Sequence, residues 1–141
     1  MSNADPFHLQ RFVDAQDSVF EDVLAELKAG AKVSHWMWFV FPQIRGLGSS
    51  EMSQQYAISS REEAKAYLQH PVLGPRLREC TRLVLAIEGK AVTAIFGPID
   101  AMKFRSSMTL FADASAGGQL FTEALRKYFQ SEPDAVTLRL L

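Results

Sequence analysis

Cysteine occurs once in the 141 residues, at Cys80, so the chain can close no disulfide on itself and offers no multi-thiolate metal site. Charge of one sign is also lacking. Fifteen Lys and Arg against sixteen Asp and Glu leave a net charge of −1, which gives no electrostatic drive toward a nucleic-acid duplex or an anionic membrane. No apolar run approaches the roughly 20 residues that span a bilayer. The opening stretch MSNADPFHLQRFVDAQD has no basic segment followed by an apolar core, so no secretory leader is expected. Repeats, low-complexity tracts and linkers are missing too. His8, His35 and His70 stand at no metal-ligand spacing from one another or from Asp and Glu, so neither metal nor cofactor is expected. These absences leave a reduced, cytoplasmic chain with one helical domain over residues 1–141. Nothing in the pattern sets an oligomeric state.

What is present is close to half apolar residues and a succession of helix signals. Asp5 followed by Pro6 predicts a capping carboxylate and a proline at the first helical position. Leu9, Phe12, Val13, Phe20, Val23, Leu24 and Leu27 then recur at helical spacing up to Gly30, with Asp17 and Ser18 able to divide the span into two helices. Ser60-Arg61-Glu62-Glu63 reads as a capping box, in which Glu63 reaches back to the serine amide. That helix must stop before Pro71. Pro75 suits the start of the next, running to about Glu88 with Gly89 as terminator. Its buried stripe is Leu77, Cys80, Val84 and Ile87, with Arg76, Glu79 and Arg82 solvated. Asp100 can cap a helix from Ala101. Further helices are expected over 120–129 and after Asp134. No strand alternation persists, and the fold class is all-α: a compact multihelical domain.

Both tryptophans and two of the ten phenylalanines fall within residues 36–41 of SHWMWFVFPQ. As strand or helix this run has no face for water, so it belongs inside the molecule. Ser34 as N-cap and Pro42 as stop favour a short buried helix. The following QIRGLGSSE supplies Arg45, Gly46 and Gly48, which let backbone approach a ligand, and a helix start around Ser49 to Glu51. With an indole face from Trp36 or Trp38 these make a candidate phosphate and base site. The spacing matches neither the P-loop nor the dinucleotide fingerprint. In DAMKFRSSMTLF, Lys103 and Ser107 fall inside the apolar arc of Phe104, Met108, Leu110 and Phe111, beside Asp100. Lys103 therefore either snorkels past the aromatics into water or points into a pocket beside Ser107.

The stretches SHWMWFVFPQIRGLGSS, YAISSREEAKAYLQHPVLGPRL, IFGPIDAMKFRSSMTLF and DAVTLRLL together resemble the successive signatures of one bacterial family, domain of unknown function 1810. Its members are often mislabelled calpastatins. That label fits a disordered, charged, repetitive inhibitor and not this aromatic-rich, capped chain. More distantly, the family is similar to the YbiA-like superfamily, which includes the NADAR proteins associated with NAD and ADP-ribose. The resemblance implies a YbiA-like helical fold and a ribose-phosphate pocket built from the aromatic run, the glycine loop and the Lys103 helix. It also implies an N-glycosidase-like hydrolase acting on a ribosyl nucleotide or ADP-ribose-like substrate. In that reading Asp100 or Glu51 supplies the carboxylate, Lys103 and Arg45 hold phosphate or ribose, and Trp36 or Trp38 stacks the base. The alternatives are a binding module without chemistry and a protein-interaction domain with no ligand.

Overall fold

The computed structural model describes residues 5–116 and 119–141; among them are ten helices and, in place of strands, one isolated parallel bridge between Ile44 and Ile58. The fold is all-α. Helices α1 (Gln10–Asp17) and α2 (Phe20–Ala29) divide the first amphipathic span at the bend the sequence allows. Asp5 accepts the Leu9 and Gln10 amides at 2.7 and 3.0 Å, so it is a capping carboxylate. Pro6, however, lies in the turn ahead of α1 and not at its first position, because His8 takes a left-handed backbone (φ 53) and interrupts the helix between them. Gly30 (φ 77) ends α2, where the Lys90 ammonium donates to its carbonyl at 3.0 Å.

The aromatic run forms α3 (Met37–Val40), buried as expected but not capped by Ser34. The Ser34 hydroxyl donates to the Glu26 carboxylate at 2.6 Å, drawn away from the helix by the acid projecting from α2. A short α4 (Glu51–Gln55), capped by Ser50, leads to α5 (Arg61–Gln69), capped by Ser60. The reciprocal half of the expected capping box shifts by one residue. Glu63 accepts from the Ser59 amide and hydroxyl at 2.8 and 2.7 Å, while its other oxygen is paired with Arg11 at 3.0 Å.

Helix α6 (Leu73–Leu85) begins two residues before Pro75, because Nδ1 of His70 accepts the Val72 and Leu73 amides and so caps the earlier start. It also stops at Leu85 and not near Glu88: Lys127 donates to the Leu85 and Ile87 carbonyls at 2.6 and 2.7 Å, closing the end. Gly89 (φ 73) lies beyond the helix. Leu77, Cys80 and Val84 are buried, with Ile87 at their edge. Glu79 and Arg82 are exposed as expected. Arg76 is not: its guanidinium lies 4.7 Å over the Phe20 ring and 2.9 Å from Asp17.

Helix α7 (Val92–Phe96) gives no pattern of its own at five residues. Helix α8 (Pro98–Ala114) then starts at Pro98, after Gly97 (φ 83), which places Asp100 in its first turn and not at its cap. Helices α9 (Gln119–Phe129) and α10 (Ala135–Leu140) follow; Asp134 caps α10 through the Thr137 amide at 3.0 Å. Helix α8 is the axis of the core and packs on α5, α7, α9 and α10. Phe104 lies against Phe41 and Phe96 at ring separations of 5.0 and 4.9 Å, and Phe111 lies 5.3 Å from Tyr67. Burial of each such ring is worth about 1.5–3 kcal/mol, which makes this aromatic column a main source of stability. Among the described residues no helix is long and apolar enough to cross a membrane.

Candidate functional site

The Ile44–Ile58 bridge fixes the place where the aromatic run opens onto the glycine loop. The Arg45 amide donates to the Ile58 carbonyl at 2.8 Å, and the Ile58 amide donates to Gln43 at 2.8 Å. Arg45 is thereby held between two depressions. One is a hollow of about 630 Å³ walled by Phe7, His8, Arg11, Glu63 and the polar side chains of Gln54, Gln55 and Ser59. The other is a cleft of about 20 Å³ that includes Trp38, Gly46, Gly48, Ser53 and Tyr56. Arg45 and Gln54 line both.

The hollow has a rigid floor. Arg11 directs all of its guanidinium nitrogens into the chain: to the carbonyls of Phe7, His8, Gln55 and Ala57 at 2.6, 2.9, 2.8 and 2.9 Å, and to Glu63 at 3.0 Å. Glu63, 2% exposed, is saturated by Arg11 and Ser59. A buried pair of this kind neutralises itself. The Arg45 side chain, by contrast, is exposed and has no hydrogen-bond or ion-pair partner among the described residues, so it is the uncommitted cation of the wall.

The glycines are accounted for by the chain itself. Gly46 has φ 105, and a side chain there would meet Leu140 of α10 at 3.3 Å; at Gly48 it would collide with Ser53. Ser49 is exposed and its carbonyl accepts from Gln54 at 2.9 Å. Glu51 is exposed at the start of α4, whose first-turn Ser53 amide is already taken by Ser50 at 3.1 Å.

The tryptophans part company. Trp36 is sealed at 1% exposure, with its indole N–H on Glu26 at 3.0 Å. Glu26 also takes the Val33 and Ser34 amides at 2.7 and 2.9 Å. Burial alone would raise this carboxyl, but the converging donors outweigh it and hold the pKa at about 2. Trp38 is half-buried and faces the cleft, with the Lys103 ammonium 5.1 Å over its ring. Lys103 thus rests on an indole beside Asp100, 3.7 Å away. Asp100 is gripped more closely by Lys32 at 2.9 Å, and Lys32 lies 5.1 Å over Trp36. Neither Asp100 nor Lys103 lines the hollow or the cleft. Ser107 is fully buried in α8, and its hydroxyl has no partner among the described residues.

The arrangement brings together Trp38, Arg45, Gly46 and Gly48, sets Lys103 and Asp100 beside them, and leaves Trp36, Ser107, Ser49 and Glu51 apart. Sequence reasoning missed His8, Arg11, Ser59 and Glu63. Glu63 was visible as part of a capping box, but its meeting with Arg11, 52 positions away, had no local signal. Burial pushes the Cys80 thiol up to about 12, so it is a core residue without nucleophilic character. Among the described residues no group of three His, Cys, Asp or Glu is placed to hold a metal.

An all-α chain with a polar hollow beside a half-buried tryptophan is the class that the fold and the candidate site define. The chain belongs to the family described as protein of unknown function (DUF1810), whose model matches residues 6–141. It is similar in structure to the conserved hypothetical protein Rv1873 from Mycobacterium tuberculosis, with 56% identity over 97% of this chain and 98% of that one and a TM-score of 0.96. No curated protein matches it.

Proposed function

We propose that this protein binds a small ribosyl nucleotide or ADP-ribose-like ligand in the hollow beside Arg45. The observation that carries the reading is the uncommitted Arg45 guanidinium on the wall shared by a nucleotide-sized hollow and the Trp38 cleft. The resemblance to YbiA-like proteins supplies the ligand class. Binding is better supported than N-glycoside hydrolysis, because Asp100 is neutralised by two lysines and Glu51 lies outside the hollow. Glu63, the carboxylate that does line it, already has both oxygens occupied.

The test is thermal unfolding with AMP, adenosine and ADP-ribose, followed by chromatography of the recovered ligand. Saturable stabilisation of about 2.7 kcal/mol at a hundred times Kd is expected, with the ligand intact and the effect of the phosphate-bearing ligands reduced in Arg45→Gln. Release of free base would move the protein to the hydrolases. No stabilisation by any of the three would leave the protein-interaction reading in its place.

A further inference from the structure

The hollow contains a second feature that the ligand reading leaves unused. Among the described residues three other than glycine have positive φ: His8, Gln130 and Ser131. The latter two close the end of α9, where the Ser131 amide donates to Leu125 at 3.0 Å and the Glu132 amide to Phe129 at 2.9 Å, so their conformation belongs to a helix terminus. His8 precedes a helix instead, and it is one of the residues that line the hollow. Its left-handed backbone is pinned from both sides. Its amide donates to Asp5 at 3.0 Å, and its carbonyl accepts from the Arg11 guanidinium at 2.9 Å and the Arg11 amide at 3.3 Å. Arg11 is held in turn by the buried Glu63. Strain maintained by a buried ion pair at the rim of a cavity marks a side chain whose direction matters.

We infer that His8 and Arg45 together receive the terminal phosphate of a phosphomonoester, so that the ligand class is a ribonucleoside monophosphate and not the internal diphosphate of ADP-ribose. This rests on the ligand-binding reading above and narrows it. A planar guanidinium fork engages two phosphate oxygens side by side, and an imidazole N–H supplies a donor for the third. A terminal phosphate presents three such oxygens; each bridging phosphate of a diphosphate presents two. The charges of Arg11 and Glu63 cancel, so the excess positive charge of the wall comes from Arg45. At about 630 Å³ the hollow has room for the nucleoside as well as the phosphate.

The experiment is calorimetric titration of the whole protein and of His8→Asn and Arg45→Gln with AMP, adenosine, ADP-ribose and inorganic phosphate. Asparagine tolerates a left-handed backbone, so His8→Asn removes the imidazole while keeping the turn, and equal urea midpoints verify that it folds. Expected are AMP tighter than ADP-ribose, a loss of about tenfold for AMP in each variant, and little change for adenosine. If ADP-ribose binds at least as tightly as AMP, or if AMP binds His8→Asn as well as the wild type, this inference is overturned while the nucleotide reading stands; if AMP binds Arg45→Gln as well as the wild type, both fall. If phosphate binds with the same dependence on His8 and Arg45 but neither adenosine nor any nucleotide does, the nucleotide reading falls and the phosphate seat survives. Failure of every probe overturns both.

Discussion

Two lysines stand over two tryptophans at the same distance, 5.1 Å, and share the carboxylate of Asp100, yet the pairs differ in kind. The Lys32 side chain is 6% exposed and 2.9 Å from Asp100, over an indole that is itself sealed and hydrogen-bonded to Glu26. The Lys103 side chain is 24% exposed and 3.7 Å away, over an indole that faces a cleft. Trp36 and Trp38 are two positions apart at the start of a helix, which turns them to opposite sides. The same three chemical groups therefore make a closed joint on one side and a displaceable cover on the other. What separates them is Glu26, which satisfies the Trp36 N–H inside the molecule and has no counterpart described at Trp38.

Removing that acid should break the comparison most severely. Glu26→Ala leaves the buried Trp36 N–H and the Val33 and Ser34 donors without their acceptor, and a loss of about 3 kcal/mol is expected from urea unfolding at pH 7. The pH dependence has a definite sign. The folded pKa of about 2 lies below the reference value of 4.5 in spite of burial, because the Ser34, Val33 and Trp36 donors favour the charged form. The stabilisation is therefore complete above pH 4.5 and is lost as pH falls toward 2. Allowing for the partial exposure of Glu26, it amounts to about 2 kcal/mol. Wild-type urea midpoints should fall across that window, and those of Glu26→Ala should fall less. Parallel slopes would show that Trp36 is anchored by packing alone.

The lysines themselves come next. Lys32→Ala leaves Asp100 half-paired beside a buried ring and should cost about 2 kcal/mol, whereas Lys103→Ala should cost under about 0.5 kcal/mol. Combining each with Asp100→Asn in a double-mutant cycle measures the two couplings directly. Equal coupling energies would abolish the distinction between joint and cover.

Much of the scaffold behind this contrast was legible, because its signals are local. Gly30, Ser60 and Asp134 end or cap helices where their chemistry says they should, and the aromatic run is buried because neither of its faces is polar. Three of the misplacements share one cause. Ser34, Glu63 and Arg76 each have a respectable local role on paper, and each is claimed by a partner from elsewhere in the chain: Glu26, Arg11 and Asp17. A polar side chain near the core goes to the partner that best offsets its desolvation, and sequence spacing does not record that competition. The candidate site depends on the same competition. Arg45 and Trp38 stood out by type, whereas the hollow is made by Arg11 and Glu63 joining segments 52 positions apart.

The smallest effect tests the open pair most directly. If Lys103 covers the Trp38 face without holding the fold together, removing it should leave stability within about 0.5 kcal/mol while exposing the ring. Fluorescence separates the two indoles: Trp38→Phe leaves Trp36 alone, with blue-shifted emission that acrylamide quenches poorly. The wild type should quench more readily than Trp38→Phe, and Lys103→Ala more readily still. Lys32→Ala, at a urea concentration where it remains folded, should quench no more than the wild type, because Trp36 stays enclosed by the core around it. Quenching of Trp38 that is indifferent to Lys103 would mean that the ammonium is not what covers the ring. The cleft would then be closed by the narrow walls of Gly48 and Ser53, and a ligand could reach the indole only by moving the backbone.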